Sequence, residues 1–297
     1  MIDSSLLAAF MSMMVFSVAS LSFSIFSEKT SVVWMNAFKA TVALMAFAVA
    51  GLLAGQLTEF PQLNIFLYLF LGGFIGLNIG DFFLLNAFAR LGAGRTLMIF
   101  GFQPFFMAIF AYLFFAQAMG RADILAAVLI LVCVFTISFE KFRLHGHWEF
   151  WGLTFGFLGV LIDCLSVVIT RAAFDSNPAL GVLEANFYRC LGAAAGFLIL
   201  SRFHRFHFGK RFRRMSFKSK FSAILASVLG TFLSLWLYLE AIDKGHLGNI
   251  ATIVAAGPLF TSGFELIWKR QKPSKYFWAS LALFSIALVL MAYSQSR

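Results

Sequence analysis

The sequence predicts an all-α integral membrane protein whose ten transmembrane helices form two inverted five-helix repeats. Composition is the first observation behind this prediction. The 297 residues are 61% hydrophobic and only 12% charged, with a mean hydropathy of +0.88. A soluble domain carries about 25% charged residues, so this chain has too few polar side chains to cover a water-facing surface. The second observation is an internal repeat.

Ten apolar runs are each long enough to span a bilayer, which takes about 20 mostly apolar residues. They cover approximately residues 4–27, 31–54, 63–88, 94–116, 121–139, 149–173, 179–201, 219–242, 247–268 and 275–293. The runs and their short loops use the whole chain, which leaves no room for a soluble domain. The first run lacks the basic start of a cleaved signal peptide. We expect a multi-pass protein of the bacterial inner membrane.

Residues 85–117 recur 154 positions later as residues 239–271. Identical residues match in this register, among them Ala87 with Ala241, Gly94 with Gly248, Pro104 with Pro258 and Gln117 with Gln271. Each copy ends one helix, turns at a glycine and enters a second helix with a proline near its middle. We therefore predict that Gly94 and Gly248 form turns, and that Pro104 and Pro258 act as hinges by removing a helical hydrogen bond.

The repeat extends over both halves of the chain. Asn36 and Lys39 in the second run match Asn186 and Arg189 in the seventh. The repeats are predicted to cover residues 1–142 and 143–297, with five spans each. Because five is odd, the second repeat must enter the membrane upside down. Inverted repeats that enclose a midplane site are a recurring transporter architecture.

These features resemble those of an EamA-type member of the drug/metabolite transporter superfamily. The resemblance covers the whole chain and implies ten spans in two repeats, each with the alanine, glycine turn and proline described above. It also implies a transported cargo, which in this family ranges over amino acids, other metabolites, nucleotide sugars and lipid-linked sugars. Members carry glutamate where this chain has Gln117 and Gln271, so a role of that acid in closing a helix end does not carry over.

The third run presents two different faces. Gly72, Gly76 and Gly80 recur every four residues and form a smooth seam for close helix packing. Asn78 and Asp81 lie on another face, and a carboxylate at that depth is costly enough to mark a functional site. We predict that both bind the cargo or a proton. The alternative is that Asp81 pairs with a buried cation, Lys39 or Arg189.

Two further runs supply candidate polar ligands. Asp163 lies near the middle of the sixth run, with Ser166 on the same face, and Ser234 and Tyr238 share a stripe of the eighth run. We predict that these four side chains also bind the cargo or a proton. Hydrogen bonding between helices is the alternative role for the stripe.

No motif for catalysis, metal binding or a cofactor is present: the sequence has no Walker A loop, no HExxH, no nucleophile elbow and no CxxC pair. Its three cysteines lie within spans as packing residues. The sequence thus predicts a secondary, non-ATP transporter that exports a small metabolite such as an amino acid by alternating access at a midplane cavity. A lipid or lipid-linked-sugar flippase is the alternative, and a non-transporting scaffold fits the buried acids less well.

Basic residues are concentrated on one side of the predicted topology. The loops after odd-numbered runs hold 17 Lys or Arg and the other side holds four, which predicts cytoplasmic odd-numbered loops and external termini. Residues 202–220 interleave cations with phenylalanine and are predicted to contact anionic lipid headgroups rather than nucleic acid. The expected partners are a small-molecule substrate, with or without a proton, and membrane lipids. A monomer and a homodimer are both compatible with the sequence.

Overall fold

The computed structural model describes residues 4–145, 149–203, 208–270 and 272–295, and over these ranges it is helical, without strands. The α-helices are α1 Ser4–Lys29, α2 Val32–Leu53, α3 Leu63–Gly73, α4 Asp81–Ile99, α5 Gln103–Phe115, α6 Arg121–His145, α7 Phe150–Ser176, α8 Val182–Phe203, α9 Phe208–Arg214, α10 Phe217–Ser227, α11 Ser234–Lys244, α12 Leu247–Val254, α13 Gly257–Lys269 and α14 Lys275–Gln295. Two π-helical segments, Phe74–Gly80 and Val228–Leu233, join α3 to α4 and α10 to α11.

Seven helical stretches in the described ranges are long and apolar enough to cross a membrane, and two shorter apolar helices accompany them. The seven are Ser4–Lys29, Val32–Leu53, Leu63–Gly92, Phe150–Ser176, Val182–Arg202, Phe217–Lys244 and Leu247–Trp268; the shorter two are Phe100–Phe115 and Lys275–Met291. The prediction of an all-α, multi-pass membrane protein is confirmed. The count of ten spans stays a prediction.

Helix packing follows the same pattern in both parts of the chain. Helix α1 packs against α11, and its counterpart α7 makes the equivalent contact with α4. Helix α2 packs against α10, and its counterpart α8 makes the equivalent contact with α3. The contact of α5 with α12 corresponds to that of α13 with α4, and α6 packs along α14. Exchanging helices α1–α6 for their repeat counterparts among α7–α14 therefore leaves this set of contacts unchanged.

Equivalent positions also share unusual backbone conformations. The two π-helical segments begin 154 residues apart, at Phe74 and Val228, which is the spacing of the sequence repeat. Ala116 and Arg270 directly follow helices α5 and α13, and their φ angles of 53° and 51° are left-handed. A left-handed residue is a common way to end a helix. Two non-glycine examples at matching positions indicate that the two repeats have the same backbone conformation here.

The structure corrects the predicted position of both prolines. Pro104 and Pro258 lie in the first turns of α5 and α13 rather than in the middle of a helix. A 3-10 turn, Phe100–Phe102, precedes α5, and a break at residues 255–256 separates α12 from α13. Proline is tolerated in a first turn because its missing N–H has no helical partner there. Each proline therefore starts a new helix after a break.

The predicted glycine turns are also displaced. The bend inside α4 lies at Gly92, with φ 79° and ψ 162°, and Gly94 follows it on helical backbone. Gly248 lies in the first turn of α12, after the turn at Gly245 and His246. Gly248 serves close packing instead, because a Cβ there would lie 2.8 Å from the sulfur of Met119.

Candidate binding site

A cavity of about 90 Å³ lies between the two halves of the chain and is lined by residues from both. Its polar wall consists of Ser12, Lys39, Asp81, Gln103, Asp163, Thr231, Ser234 and Tyr238. The volume is enough for a few water molecules but is well below the ~300 Å³ at which typical ligand pockets begin. The cavity is therefore too small in this structure for a typical small-molecule ligand.

The cavity contains a buried ion pair. Lys39 Nζ on α2 lies 2.5 Å from Asp81 Oδ2 at the start of α4, and the two side chains are 4% and 14% exposed. The ammonium also lies 5.4 Å from the ring centre of Phe23. Of the alternatives left open by the sequence, the structure shows the pairing of Asp81 with Lys39. Asp81 therefore both pairs with Lys39 and lines the cavity.

A second polar cluster contains Asp163. Gln103 Nε2 donates to Asp163 Oδ2 at 3.1 Å and lies 3.5 Å from Tyr238 Oη. Gln103 is the first residue of α5, so the helix break before Pro104 directs its amide into the cavity. Sequence reasoning missed Gln103. A polar residue next to the repeated proline was the available signal.

Ser234 connects the cavity wall to α1. Ser12 Oγ donates to the Ser234 carbonyl at 2.8 Å, and the two hydroxyls are 3.2 Å apart. Thr231 also lines the cavity, and its buried hydroxyl has no hydrogen-bond partner within the described part of the chain. Of the six predicted ligands, Asp81, Asp163, Ser234 and Tyr238 thus meet at one cavity.

The structure places the other two predicted ligands between helices. Asn78 Nδ2 donates to the Ala193 carbonyl at 3.3 Å, and Ser166 Oγ donates to the Gly72 carbonyl at 2.8 Å. Neither residue lines the cavity. The prediction for Asn78 assumed α-helical geometry, but residues 74–80 form the wider π-helix, which changes the angle between Asn78 and Asp81.

The glycine seam is confirmed as a close contact with α7. A Cβ at Gly76 would lie 2.2 Å from Ser166 Oγ, and one at Gly80 would lie 3.3 Å from a methyl group of Ile162. The neighbouring Gly73 is tighter still, because its Cβ would lie 1.8 Å from the Arg189 carbonyl. The seam therefore allows α7 and α8 to pack beside the segment that leads to Asp81.

A family model for EamA-like transporters matches residues 3–139 and again residues 150–293. The chain belongs to the EamA-like transporter family. The two matches together cover most of the chain, so it carries the family unit twice. The predicted boundary between residues 142 and 143 remains a prediction.

Structural comparison supports the same architecture. A solved crystal structure, whose description names no function, superposes on this EamA-like protein with a TM-score of 0.78 and 14% identity, covering 97% of this chain and 96% of the other. At this identity the likeness concerns the fold alone. A search of curated proteins gives no match.

Arg189, the repeat counterpart of Lys39 in this EamA-like protein, is fully buried and does not line the cavity. Its Nη2 donates to Ser166 Oγ at 3.2 Å, while Nε and Nη1 have no hydrogen-bond partner among the described residues. Its charge interacts with Asp163 and Asp81. The centre of the protein therefore contains two acids and two bases, and only Lys39 and Asp81 form a direct pair.

The carbonyl before each proline accepts a bond from the opposite half. Ser17 Oγ on α1 donates to the Gly257 carbonyl at 3.2 Å, and Cys164 Sγ on α7 donates to the Gln103 carbonyl at 4.0 Å. Gly257 and Gln103 are equivalent in the repeat. These contacts fix both helix breaks against the first helix of the other half.

Proposed function

We propose that this EamA-like protein is a secondary carrier that exports a small metabolite, such as an amino acid, by alternating access at the central cavity. The Lys39–Asp81 pair in the cavity wall is the observation that carries the proposal. Two buried charges are expensive as mere packing elements. Ionisable groups within a membrane span are functional candidates by default.

The polar wall suits a cargo that carries both charges. Lys39 on α2 can bind a carboxylate, and Asp163 on α7 can bind an ammonium group; both line the cavity. Gln103 and Tyr238 offer further hydrogen bonds near Asp163. The cargo carboxylate would replace Asp81 as the partner of Lys39, and Asp81 would then be free to take up a proton or to share the ammonium group with Asp163. A proton on either carboxyl could couple transport, and so could the cargo gradient.

The proposed movement requires ten spans arranged as inverted repeats. Support comes from helix contacts that are unchanged when the halves are exchanged, and from interrupted helices at Pro104 and Pro258. Interrupted helices at the repeat interface are typical of inverted-repeat carriers. Rocking of one half against the other would enlarge the small cavity on one side at a time. We propose the bacterial inner membrane as the location, with the termini outside.

Transport by the purified protein in proteoliposomes tests the proposal. A panel of amino acids and other metabolites is loaded inside, and efflux is measured for wild type, Asp163→Asn and the control Glu59→Gln, whose carboxylate is exposed in a loop outside the cavity. We expect at least one cargo to leave the wild-type and control vesicles at similar rates. We expect Asp163→Asn to lose at least tenfold in rate. Normal efflux by correctly inserted Asp163→Asn would contradict the proposed site.

A lipid or lipid-linked-sugar flippase is the second candidate, favoured by an apolar groove of about 310 Å³. Pro104, Ile109 and Tyr112 of α5 line this groove, while the adjacent Gln103 lines the cavity. The first turn of α5 thus separates a surface suited to an acyl chain from a polar centre. Translocation of a fluorescent lipid in the same vesicles, without metabolite efflux, would favour this candidate.

A further inference from the structure

Helix α9 between α8 and α10 is amphipathic and docked on α2. The ring centres of Phe208 and Trp34 are 6.2 Å apart, and those of Phe212 and Phe38 are 5.4 Å apart. Trp34 Nε1 donates to the Phe208 carbonyl at 3.1 Å. Aromatic contacts and a hydrogen bond therefore fix one side of α9 to the start of α2.

The connection between α1 and α2 holds the same short helix. Arg211 Nη1 donates to the Thr30 carbonyl at 3.0 Å, and Lys220 Nζ lies 5.5 Å from the ring centre of Phe212. These two cations thus take part in the internal contacts of α9. The remaining cations of this region have a different environment.

Four cations of this region extend away from the protein. Lys210, Arg213, Arg214 and Lys218 are exposed, and none forms a salt bridge within the described part of the chain. No Asp or Glu occurs between residues 185 and 239, so local acids do not compensate them. Phe217 beside them is 82% exposed. Exposed cations next to an exposed aromatic ring are typical of a segment that lies in a membrane interface.

We propose that the outer face of α9 and the start of α10 bind the headgroups of anionic phospholipids. Lys210, Arg213, Arg214 and Lys218 contact the phosphates, and Phe217 enters the boundary of the acyl chains. Basic residues beside a membrane span are attracted to an anionic leaflet, and the arginine side chains can bind phosphate through two nitrogens.

Binding at this face has a consequence for the cavity. The rings of Trp34 and Phe38 hold α9, and Lys39 follows them directly on α2. Lipid that orders α9 therefore orders the part of α2 that carries the cation of the central pair. Anionic lipid should stabilise the whole protein as well as the loop, whatever its cargo is.

The test measures thermal unfolding of the full-length protein in neutral detergent with added phosphatidylglycerol or phosphatidylcholine. The variant replaces the four outer cations, Lys210, Arg213, Arg214 and Lys218, by glutamine. The matched control replaces Lys269, Arg270, Lys272 and Lys275 by glutamine and so has the same net charge. We expect phosphatidylglycerol to raise Tm for wild type and control with similar midpoints. The variant should need at least tenfold more lipid.

The proposal would be overturned by an equal response to phosphatidylcholine or by an unchanged midpoint in the variant. The same Tm increase with inorganic phosphate alone would also overturn it, because it would assign the site to free anions. Tighter binding of a short duplex RNA than of phosphatidylglycerol would likewise assign the surface to nucleic acid. The double variant Arg213→Gln/Arg214→Gln removes only two exposed charges and should show an intermediate midpoint, so the outcome does not depend on recovery of the fourfold variant.

Discussion

Removing one charge from the Lys39–Asp81 pair should destabilise the fold more than removing both. Side chains that are 4% and 14% exposed form this pair, and deleting one partner of a buried pair costs about 3–5 kcal/mol because the other charge stays buried. Asp81 borders the cavity, so we expect the lower end, about 3 kcal/mol, for Asp81→Asn. Asparagine has nearly the same shape as aspartate, so shape alone would predict no loss of stability. The variant should nevertheless be destabilised, because it leaves the buried Lys39 charge without its partner.

The double variant Lys39→Met/Asp81→Asn leaves no charge without a partner. Methionine has a similar length to the lysine stem and fills the space beside Phe23. Replacing a buried ion pair by neutral residues of similar volume is often neutral for stability. We therefore expect the double variant to be more stable than Asp81→Asn and within about 1 kcal/mol of wild type.

Reversible unfolding in mixed micelles, followed by circular dichroism, measures these differences. Glu149→Gln serves as the control, because its ion pair with Arg90 is exposed on both sides and such pairs contribute about 0–1 kcal/mol. Costs for Lys39→Met and Asp81→Asn that simply add in the double variant would refute the reasoning. So would a cost below about 1 kcal/mol for Asp81→Asn.

Three more predictions concern packing, pH and orientation. Gly73→Ala should cost about 3 kcal/mol or more, because its Cβ would meet the Arg189 carbonyl, whereas Gly209→Ala, with no atom within 4 Å, should be tolerated; the same unfolding assay compares them. Burial lowers the pKa of His246 below its ordinary value of 6.5, so the unfolded state binds more protons near that pH. Stability should therefore fall as pH drops below 6.5, and the fall should be smaller in His246→Asn. The three native cysteines are buried, so an impermeant thiol reagent applied to intact cells should label cysteines engineered at positions 2 and 296 but not Gly209→Cys; labelling of the latter would reverse the proposed orientation.

The sequence predicts the helices and the buried charges well because both depend on simple energetic rules. Apolar runs must be helical in lipid, since every backbone group needs a partner there. A carboxylate in such a run must find a cation or a cavity, and Asp81 finds both. The close packing at Gly72, Gly76 and Gly80 could also be predicted from the sequence, because glycines at every fourth position leave a groove along one side of a helix.

The errors come from places where the helix geometry changes. No local signal marks residues 74–80 as π-helical, and assuming an α-helix placed Asn78 on the same face as Asp81. The prolines were assigned to helix middles because the apolar runs continue through them. The helix break before Pro104 places the side chain of Gln103 in the cavity wall. A count of apolar residues cannot reveal this break.

The repeat determines the framework of the cavity, and residues that occur once determine its chemistry. Equivalent π-helical segments and equivalent helix breaks line it from both halves. Yet Asp81 corresponds to Leu235, and Gln103 corresponds to Gly257. The walls are therefore alike in shape and different in charge. A cargo with one anionic and one cationic end would meet Lys39 on α2 and Asp163 on α7, so it would bind in one orientation. If the proposed transport is correct, this asymmetry would allow the cavity to distinguish the two ends of a small molecule.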